Sequence, residues 1–431
     1  MKSSKVLAAL VTLGLAAAVA TPAMALENQF SGSFTSYYDL SNYTAVGGTP
    51  VKDAPTENYF VQRVRLGYTA KATEDVKLVT KFEFDYGWYG NSSYAPGGRN
   101  QGGALGADSV QMETKNLYLD LNVVKGLNVK IGMQGNSDAF KGLIFDADMA
   151  GVLLSHEYDK ASVSTGFFRF GDNTNVSTWS NIDTIGKYTQ DMFSLDGKYS
   201  ISKDLKIGAA YYYLGDNRVP AATAKVHTLG LNAEATVGPV ALTGFALRQF
   251  GDYNSTKDAE GYAFNLGAKM PLGGGTGRTE FLYASGGNDG KSLYIPQSPI
   301  GSEGGGFYDN EMIMLSRDKN AFTIDNAIVY DANNGNQGVM FASAGYDYPF
   351  TPKLSGSANL GLGWVAKDLA NHDSKYLGTE LNCEVNYKLM PSVTLGARAG
   401  YVVLGDYFKN TDAGKTPDDP YDVKLIAKFA F

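Results

Sequence analysis

Arg63 and Arg65, Lys81 with Glu83 and Asp85, Glu380 with Glu384, Arg398, and Lys424 with Lys428 are charged residues that mostly recur at spacings of two or four. In an extended chain such spacing puts each set on one face, because successive side chains point to opposite sides. These rows suit two kinds of chemistry. Paired across neighbouring strands, they are solvated internal salt bridges. Left beside water, they set up a transverse field that orders water and favours particular charged solutes. Arginine serves either role, because it keeps its charge and holds carboxylate or phosphate oxygens in a fork.

Bond-breaking chemistry has weaker support. His156, His227 and His372 are the only histidines, and Cys383 is the only cysteine. A single cysteine excludes an internal disulfide and any multi-cysteine metal or haem-attachment site. The stretch GGNDGKS at 286–292 has the look of a phosphate loop, but Ser285 stands where the first glycine is required and SLYIP follows instead of a helix. GGGTG at 273–277 reads as a turn. DDPYD at 418–422 would hold calcium only if other loops completed its shell. A protease built from carboxylates on separate loops would leave no mark in spacing, and nothing points to one. The expectation is a protein that is not an enzyme, with no metal and no cofactor.

The charged rows sit in segments with a two-residue period. The clearest are 77–86 (KLVTKFEFDY), 117–121, 127–133 (LNVKIGM), 205–213 (LKIGAAYYY), 354–364, 379–387 (TELNCEVNY), 393–403 and 421–431 (YDVKLIAKFAF). Each reads as a strand. Weaker versions near 29–38, 59–69, 151–158, 162–170, 191–199, 226–237, 240–250, 261–270, 278–285 and 337–348 bring the number to about eighteen. In the last strand Tyr421, Val423, Leu425, Ala427, Phe429 and Phe431 form an apolar row, while Asp422, Lys424, Ile426, Lys428 and Ala430 form a mostly polar one. Glu380, Asn382, Glu384 and Asn386 form a row too polar for a dry core, since unpaired carboxylates there would be costly.

Lys2 and Lys5 precede an apolar run over 6–20, and Ala23-Met24-Ala25 offers a small-x-small cleavage pattern. This reads as a secretory signal over 1–25, leaving a single domain over 26–431. The run is too short to span a bilayer. No cysteine follows the cut, so a lipid anchor is not expected. Without the two signal lysines, 35 basic residues face 44 acidic ones, a formal charge of −9, which makes nucleic acid a poor partner. No linker or composition shift divides the chain.

Connections alternate in length. Short turns are expected at 73–75, 124–126, 158–160, 202–204, 238–239, 272–275, 351–353 and 390–392. Between them lie long loops at 41–58, 89–108, 172–187, 287–335 and 408–420. That alternation describes an all-β, antiparallel up-and-down transmembrane β-barrel of about eighteen strands, or sixteen, with both termini on the short-turn side. Eleven residues at ~3.3 Å, tilted by ~45°, rise about 25 Å, the height of a barrel's apolar band.

The signal, the alternating strands and the terminal Phe431 resemble bacterial outer-membrane porins. The resemblance implies short periplasmic turns, long extracellular loops and a C-terminal strand read by the barrel-assembly machinery. Residues 376–409 (YLGTELNCEVNYKLMPSVTLGARAGYVVLGDYFK) are similar to the closing hairpin of eighteen-stranded, alginate-export-like barrels. The Pro-Glu-Phe-Gly-Gly signature of trimeric sixteen-stranded porins is absent, so neither their constriction residues nor their trimer is carried over.

On this reading Arg63, Arg65, Lys81, Arg398, Lys424 and Lys428 line one basic wall of the pore, with Glu83, Asp85, Glu380 and Glu384 as its acids. In a closed barrel the last strand pairs with the first, which makes the wall contiguous. Asp138, Asp146 and Asp148, in the loop after the fifth strand, are candidate constriction acids if that loop turns inward; an outward loop is the alternative. The loop 287–335 carries apolar pieces at 312–315 and 327–330 that favour burial, so it should fold over or into the mouth. The expected function is passive diffusion of small hydrophilic solutes, anionic ones among them, through the outer membrane of a Gram-negative cell, as a monomer or trimer embedded in lipid. The rivals are a plugged-barrel receptor or adhesin, and a structural barrel sheathing a partner such as an electron carrier.

Overall fold

In the computed structural model, the described residues are 26–43, 48–87, 111–172, 185–296, 306, 308–320, 327–370 and 372–431. The expected signal at 1–25, the loop core at 88–110 and parts of the loops 172–187 and 287–335 lie outside them.

The strands are β1 (Glu27–Ser41), β2 (Glu57–Thr73), β3 (Val76–Gly87), β4 (Gln111–Val124), β5 (Leu127–Ser137), β6 (Asp146–Glu157), β7 (Ala161–Asp172), β8 (Thr189–Ser202), β9 (Leu205–Asp216), β10 (Ala224–Val237), β11 (Val240–Asn254), β12 (Tyr262–Leu272), β13 (Gly275–Ala284), β14 (Val339–Pro349), β15 (Leu354–Val365), β16 (Tyr376–Met390), β17 (Val393–Leu404) and β18 (Tyr421–Ala430). A two-residue ladder, Lys257–Asp258, folds back on β11 and brings the sheet to 19 pairing elements. Every neighbour is antiparallel, and β18 pairs with β1 from Ser33↔Ala430 to Ser41↔Asp422. The sheet is therefore a closed barrel of eighteen strands, not sixteen, and closure removes its edges.

Turns alternate as the composition of the connections requires. Gly273 and Gly274, at φ 54° and 86°, close the β12–β13 hairpin in a backbone conformation that L side chains rarely adopt. All the short turns lie at one rim, and the long connections lie at the other.

The two faces of the sheet meet different surroundings. Leu231, Leu266 and Leu425 are 65%, 62% and 58% exposed on the outside, where a water-soluble protein would not display a continuous apolar belt. Cys383 belongs to that belt, between Leu381 and Val385. Aromatic residues edge it: Tyr199, Tyr348, Phe350, Tyr387 and Phe429 towards the short turns, and Tyr211, Phe250, Tyr262, Tyr283 and Tyr401 towards the loops. No described helix is long and apolar enough to cross a membrane; this chain crosses with strands.

The apolar core lies inside the barrel. Phe140, Leu143 and Phe145 from the β5–β6 connection, with Met312, Met314, Leu315, Ile328 and Val329 from the β13–β14 connection, pack against inward residues such as Phe168, Tyr212 and Phe245. The long connection thus enters the mouth. Asp146 and Asp148 correct the expectation of a loop: they stand on β6, paired with Ser137 and Gly135. The ladder extends this far because the remaining turn, 138–145, satisfies its own backbone around Asp138.

Candidate functional site: the charged lumen wall

The strands β16, β17, β18, β1, β2 and β3 are consecutive around the barrel. Register brings Arg63 opposite Asp85, Arg65 opposite Glu83, Glu384 opposite Arg398, Arg398 opposite Lys424, and Lys424 opposite Asp39. The charged rows therefore lie side by side, but in two different settings.

On β2 to β4 most of the charges are paired, around a buried Glu83. Arg63 donates from Nε to Asp85 Oδ1 at 2.7 Å and reaches Glu83 Oε1 from Nη2 at 3.1 Å. Arg65 donates from Nε to Glu83 Oε2. Lys115 joins the array, 2.5 Å from Asp148 Oδ2 and 3.8 Å from Glu83 Oε1. The side chains of Arg63, Lys115 and Asp148 keep 21%, 26% and 26% of their exposure inside the barrel. Lys81 and Lys428 have no carboxylate within ion-pair distance among the described residues. Sequence reasoning missed Lys115, which reaches this array beside a bulge in the β3–β4 ladder at Lys81/Phe82 that strict alternation cannot show.

On β16 to β18 and β1, Glu380, Arg398, Asp422, Lys424 and Asp39 point inward but do not face water, which corrects the reading of Glu380, Arg398 and Lys424 as lining an open lumen; Glu384, with 19% of its side chain exposed, and Lys428 stay partly exposed. Lys424 has a 1% exposed side chain, 2.7 Å from Asp422 Oδ2 and 3.2 Å from Asp39 Oδ2. Tyr59 O–H donates to Asp39 at 2.8 Å. Arg398 grips Asp318 of the inserted connection through both terminal nitrogens, with Nη1 3.1 Å from Oδ1. Glu380, 0% exposed, accepts backbone N–H bonds from Ile313 at 2.7 Å, Met314 at 3.1 Å and Leu315 at 2.7 Å. Buried charges of this kind persist only when paired or hydrogen-bonded. The inserted segment supplies part of that pairing, and it also excludes water.

Small residues seat that segment. A Cβ on Gly361 would lie 2.8 Å from Met312 Sδ, and one on Gly400 would lie 2.8 Å from Ile313 Cδ1. At the segment's other end, Asn265 Nδ2 donates to Tyr308 Oη at 2.9 Å, and Tyr308 O–H donates to Glu280.

The β5–β6 turn is the second inserted piece. Asp138 does not serve as a constriction acid, because its carboxylate faces its own turn. It accepts N–H bonds from Phe140 at 2.6 Å, Gly142 at 3.0 Å, Ile144 at 2.6 Å and Phe145 at 2.8 Å. Burial pushes its carboxyl up to about 6 against the opposing pull of those four donors. Phe140 lies over Gly230 and 5.5 Å from the Phe245 ring. Asp309 N–H donates to Lys141 O at 3.0 Å, and Lys141 pairs with Glu280, so the two insertions brace each other. Beneath them lies a cavity of about 360 Å³ whose lining includes Lys198, Glu234, Lys269, Arg278 and Glu280, a mixed-sign vestibule that the sequence reading did not single out.

His372-Asp373-Ser374 is a His-x-Ser sequence, and there His372 Nδ1 meets Asp368 at 2.8 Å and its ring lies 3.9 Å from that of Tyr407. Ser374 Oγ accepts the Tyr376 N–H at 3.1 Å. Among the described residues no group of three or more His, Cys, Asp or Glu could hold a metal ion.

No family model matches the chain, and no curated protein matches it. Solved structures do. The outer membrane protein OpdK from Pseudomonas aeruginosa aligns with a TM-score of 0.58 at 12% identity, over 94% of this chain and 98% of that one. Pseudomonas aeruginosa OccK3 (OpdO) gives 0.55 at 14%, over 94% and 96%. Acinetobacter baumannii OccAB4 gives 0.56 at 14%, over 95% and 100%. This chain has the fold of an outer-membrane β-barrel. At such identities the likeness is one of fold, so the wall, the two insertions and the vestibule are read from this chain's own residues. In a barrel of this fold the charged wall on β2 to β4 faces the bore, and the belt around Leu231 and Leu266 faces lipid.

Proposed function

We propose that this barrel is a passive outer-membrane channel for small hydrophilic solutes. The observation that carries the reading is the array Asp148–Lys115–Glu83–Arg63–Asp85, whose Asp148, Lys115, Arg63 and Asp85 keep partial exposure inside the barrel around a buried Glu83, while Glu380, Arg398 and Lys424 on β16 to β18 are sealed. Salt-bridged charge beside water is the lining of an aqueous path. Arg63 and Arg65 are compensated by Glu83 and Asp85, so the field there alternates in sign. Lys81 and Lys428 add positive charge without an ion-pair partner among the described residues, and Glu113, opposite Glu83, adds a negative one, which supports passage of both signs, small organic anions among them. Secretion through the segment 1–25, assembly through Phe431 by the barrel-assembly machinery, and kinship of the closing hairpin with alginate-export-like barrels belong to the same proposal.

The insertions 138–145, 308–320 and 327–332 favour a second reading, a plugged receptor. A sheath for a partner protein fits less well, because the chain's own segments occupy the bore. Single-channel recording in a planar bilayer separates these readings: steady ohmic conductance with a finite reversal potential in a salt gradient supports the channel, and a folded, silent barrel overturns it.

A further inference from the structure

Arg248 lies on the outer face of β11, in the row between the inward residues Leu247 and Gln249, which are 5% and 1% exposed. Its register partners are Leu229 on β10 and Tyr262 on β12, and neither offers a carboxylate. It has no hydrogen bond or ion pair among the described residues. An arginine on a lipid-facing strand is costly at the bilayer midplane and tolerated only near an interface.

Depth places it at such an interface. The 11 residues of β12 rise about 25 Å at ~3.3 Å each and ~45° tilt, the full height of an apolar band, and Tyr262 opens that strand at the loop side. Arg248, opposite Tyr262, therefore sits at the loop-side edge of the belt. Aromatic rings frame it: His227 stacks on Phe250 at 5.0 Å and 8°, and Tyr262 stacks on Tyr283 at 5.7 Å. The Tyr211 hydroxyl lies 2.7 Å from His227 Nδ1, so when it donates there, Nε2 is left as a donor. Lys225, exposed on the same row of β10, stands above His227 and opposite Asp252, and the two form no ion pair within 4 Å.

A second outward arginine shows what is missing. Arg169 on β7 is answered by its cross-strand neighbour Asp191, 2.8 Å from Nε and 3.1 Å from Nη2. No such acid stands beside Arg248. We propose that Arg248, with His227 and Lys225, binds the phosphate of an outer-leaflet lipid headgroup, a phosphorylated glycolipid. Tyr262 and Phe250 lie against its sugar and upper acyl chains. The guanidinium fork matches phosphate oxygens in pairs, and the apolar belt below accepts the chains. The inference depends on the barrel lying in a membrane and not on its conducting.

The test is native mass spectrometry of the folded full chain, incubated in detergent with diphosphoryl lipid A or with its dephosphorylated form. Wild-type protein is expected to retain the diphosphoryl lipid about tenfold better than the dephosphorylated one, and R248Q should lose about tenfold, the effect of one charge-assisted fork. R169Q, whose arginine is already partnered, should retain it as wild type does. Inorganic phosphate at millimolar concentration should not displace the lipid. Equal retention of the two lipids by wild type overturns the proposal, as does equal retention by R248Q and wild type. Displacement by inorganic phosphate would make the site one for free anions and overturn its assignment to lipid. If R248Q does not assemble, the wild-type comparison of the two lipids decides alone.

Discussion

Phe431 and Gly32 are bonded to each other in both directions: Gly32 N–H donates to Phe431 O at 3.0 Å, and Phe431 N–H donates to Gly32 O at 3.0 Å. The terminal residue thus adds one rung to the seam that closes the barrel. Its ring occupies the space where a side chain on Gly32 would begin, since a Cβ there would lie 2.5 Å from the ring. Deleting Phe431 removes both bonds, worth about 1 kcal/mol each, together with the apolar end of the strand. The folded, heat-modifiable fraction should fall about thirtyfold, and Gly32→Val should reproduce part of the loss by displacing the ring. Equal yields of folded barrel on unheated gels would refute a closing role.

The latch at Glu380 predicts a change in conductance. Its carboxylate holds three consecutive backbone N–H groups of the inserted segment. Glu380→Gln keeps one acceptor oxygen and exchanges the other for a donor facing an N–H, at a cost of about 1–3 kcal/mol. The segment should leave its seat about tenfold more often, giving noisier and larger single-channel currents from a barrel of unchanged thermal stability. Identical traces would show that Gly361, Gly400 and the apolar packing hold the segment unaided.

Selectivity should separate the two halves of the wall. In Arg63→Gln/Arg65→Gln, Glu83 keeps only Lys115, and the reversal potential should move towards cations. Asp148→Asn should move it the other way. Arg398→Gln acts on Asp318 of the inserted segment, so it should alter conductance with little effect on selectivity. A large selectivity shift from Arg398→Gln would mean that this buried pair reaches the aqueous path.

Asp138 makes one insertion pH-sensitive. Burial raises its carboxyl from 3.8 to about 6, so its contribution to holding 138–145 is fully present below pH ~4 and is lost as pH rises through about 6. Two units correspond to about 3 kcal/mol. Amide exchange in 138–145, corrected for its intrinsic pH dependence, should be slower at pH 5 than at pH 7.5, and Asp138→Asn should abolish the difference. A pH dependence that survives in the Asn variant would assign it to another group.

The barrel was legible in the residue order because a strand between lipid and a polar interior must alternate, and alternation is local. The rows through Lys424, Glu380 and Arg63 therefore showed their faces, and the closing seam followed from counting strands. What surrounds each inward charge depends on segments far away in sequence. Glu380 and Arg398 are covered because residues 312–318 fold back onto glycines at 361 and 400, a contact between positions with no common local pattern. Lys115 enters the charged array beside a bulge, and Asp138 turns towards its own backbone, where four N–H donors meet its carboxylate. The sequence by itself determined which side of the sheet a charge is on wherever a strand alternates without a bulge. Only the tertiary structure decided which of those charges meet water, because hydration inside a barrel depends on how the long connections fill it.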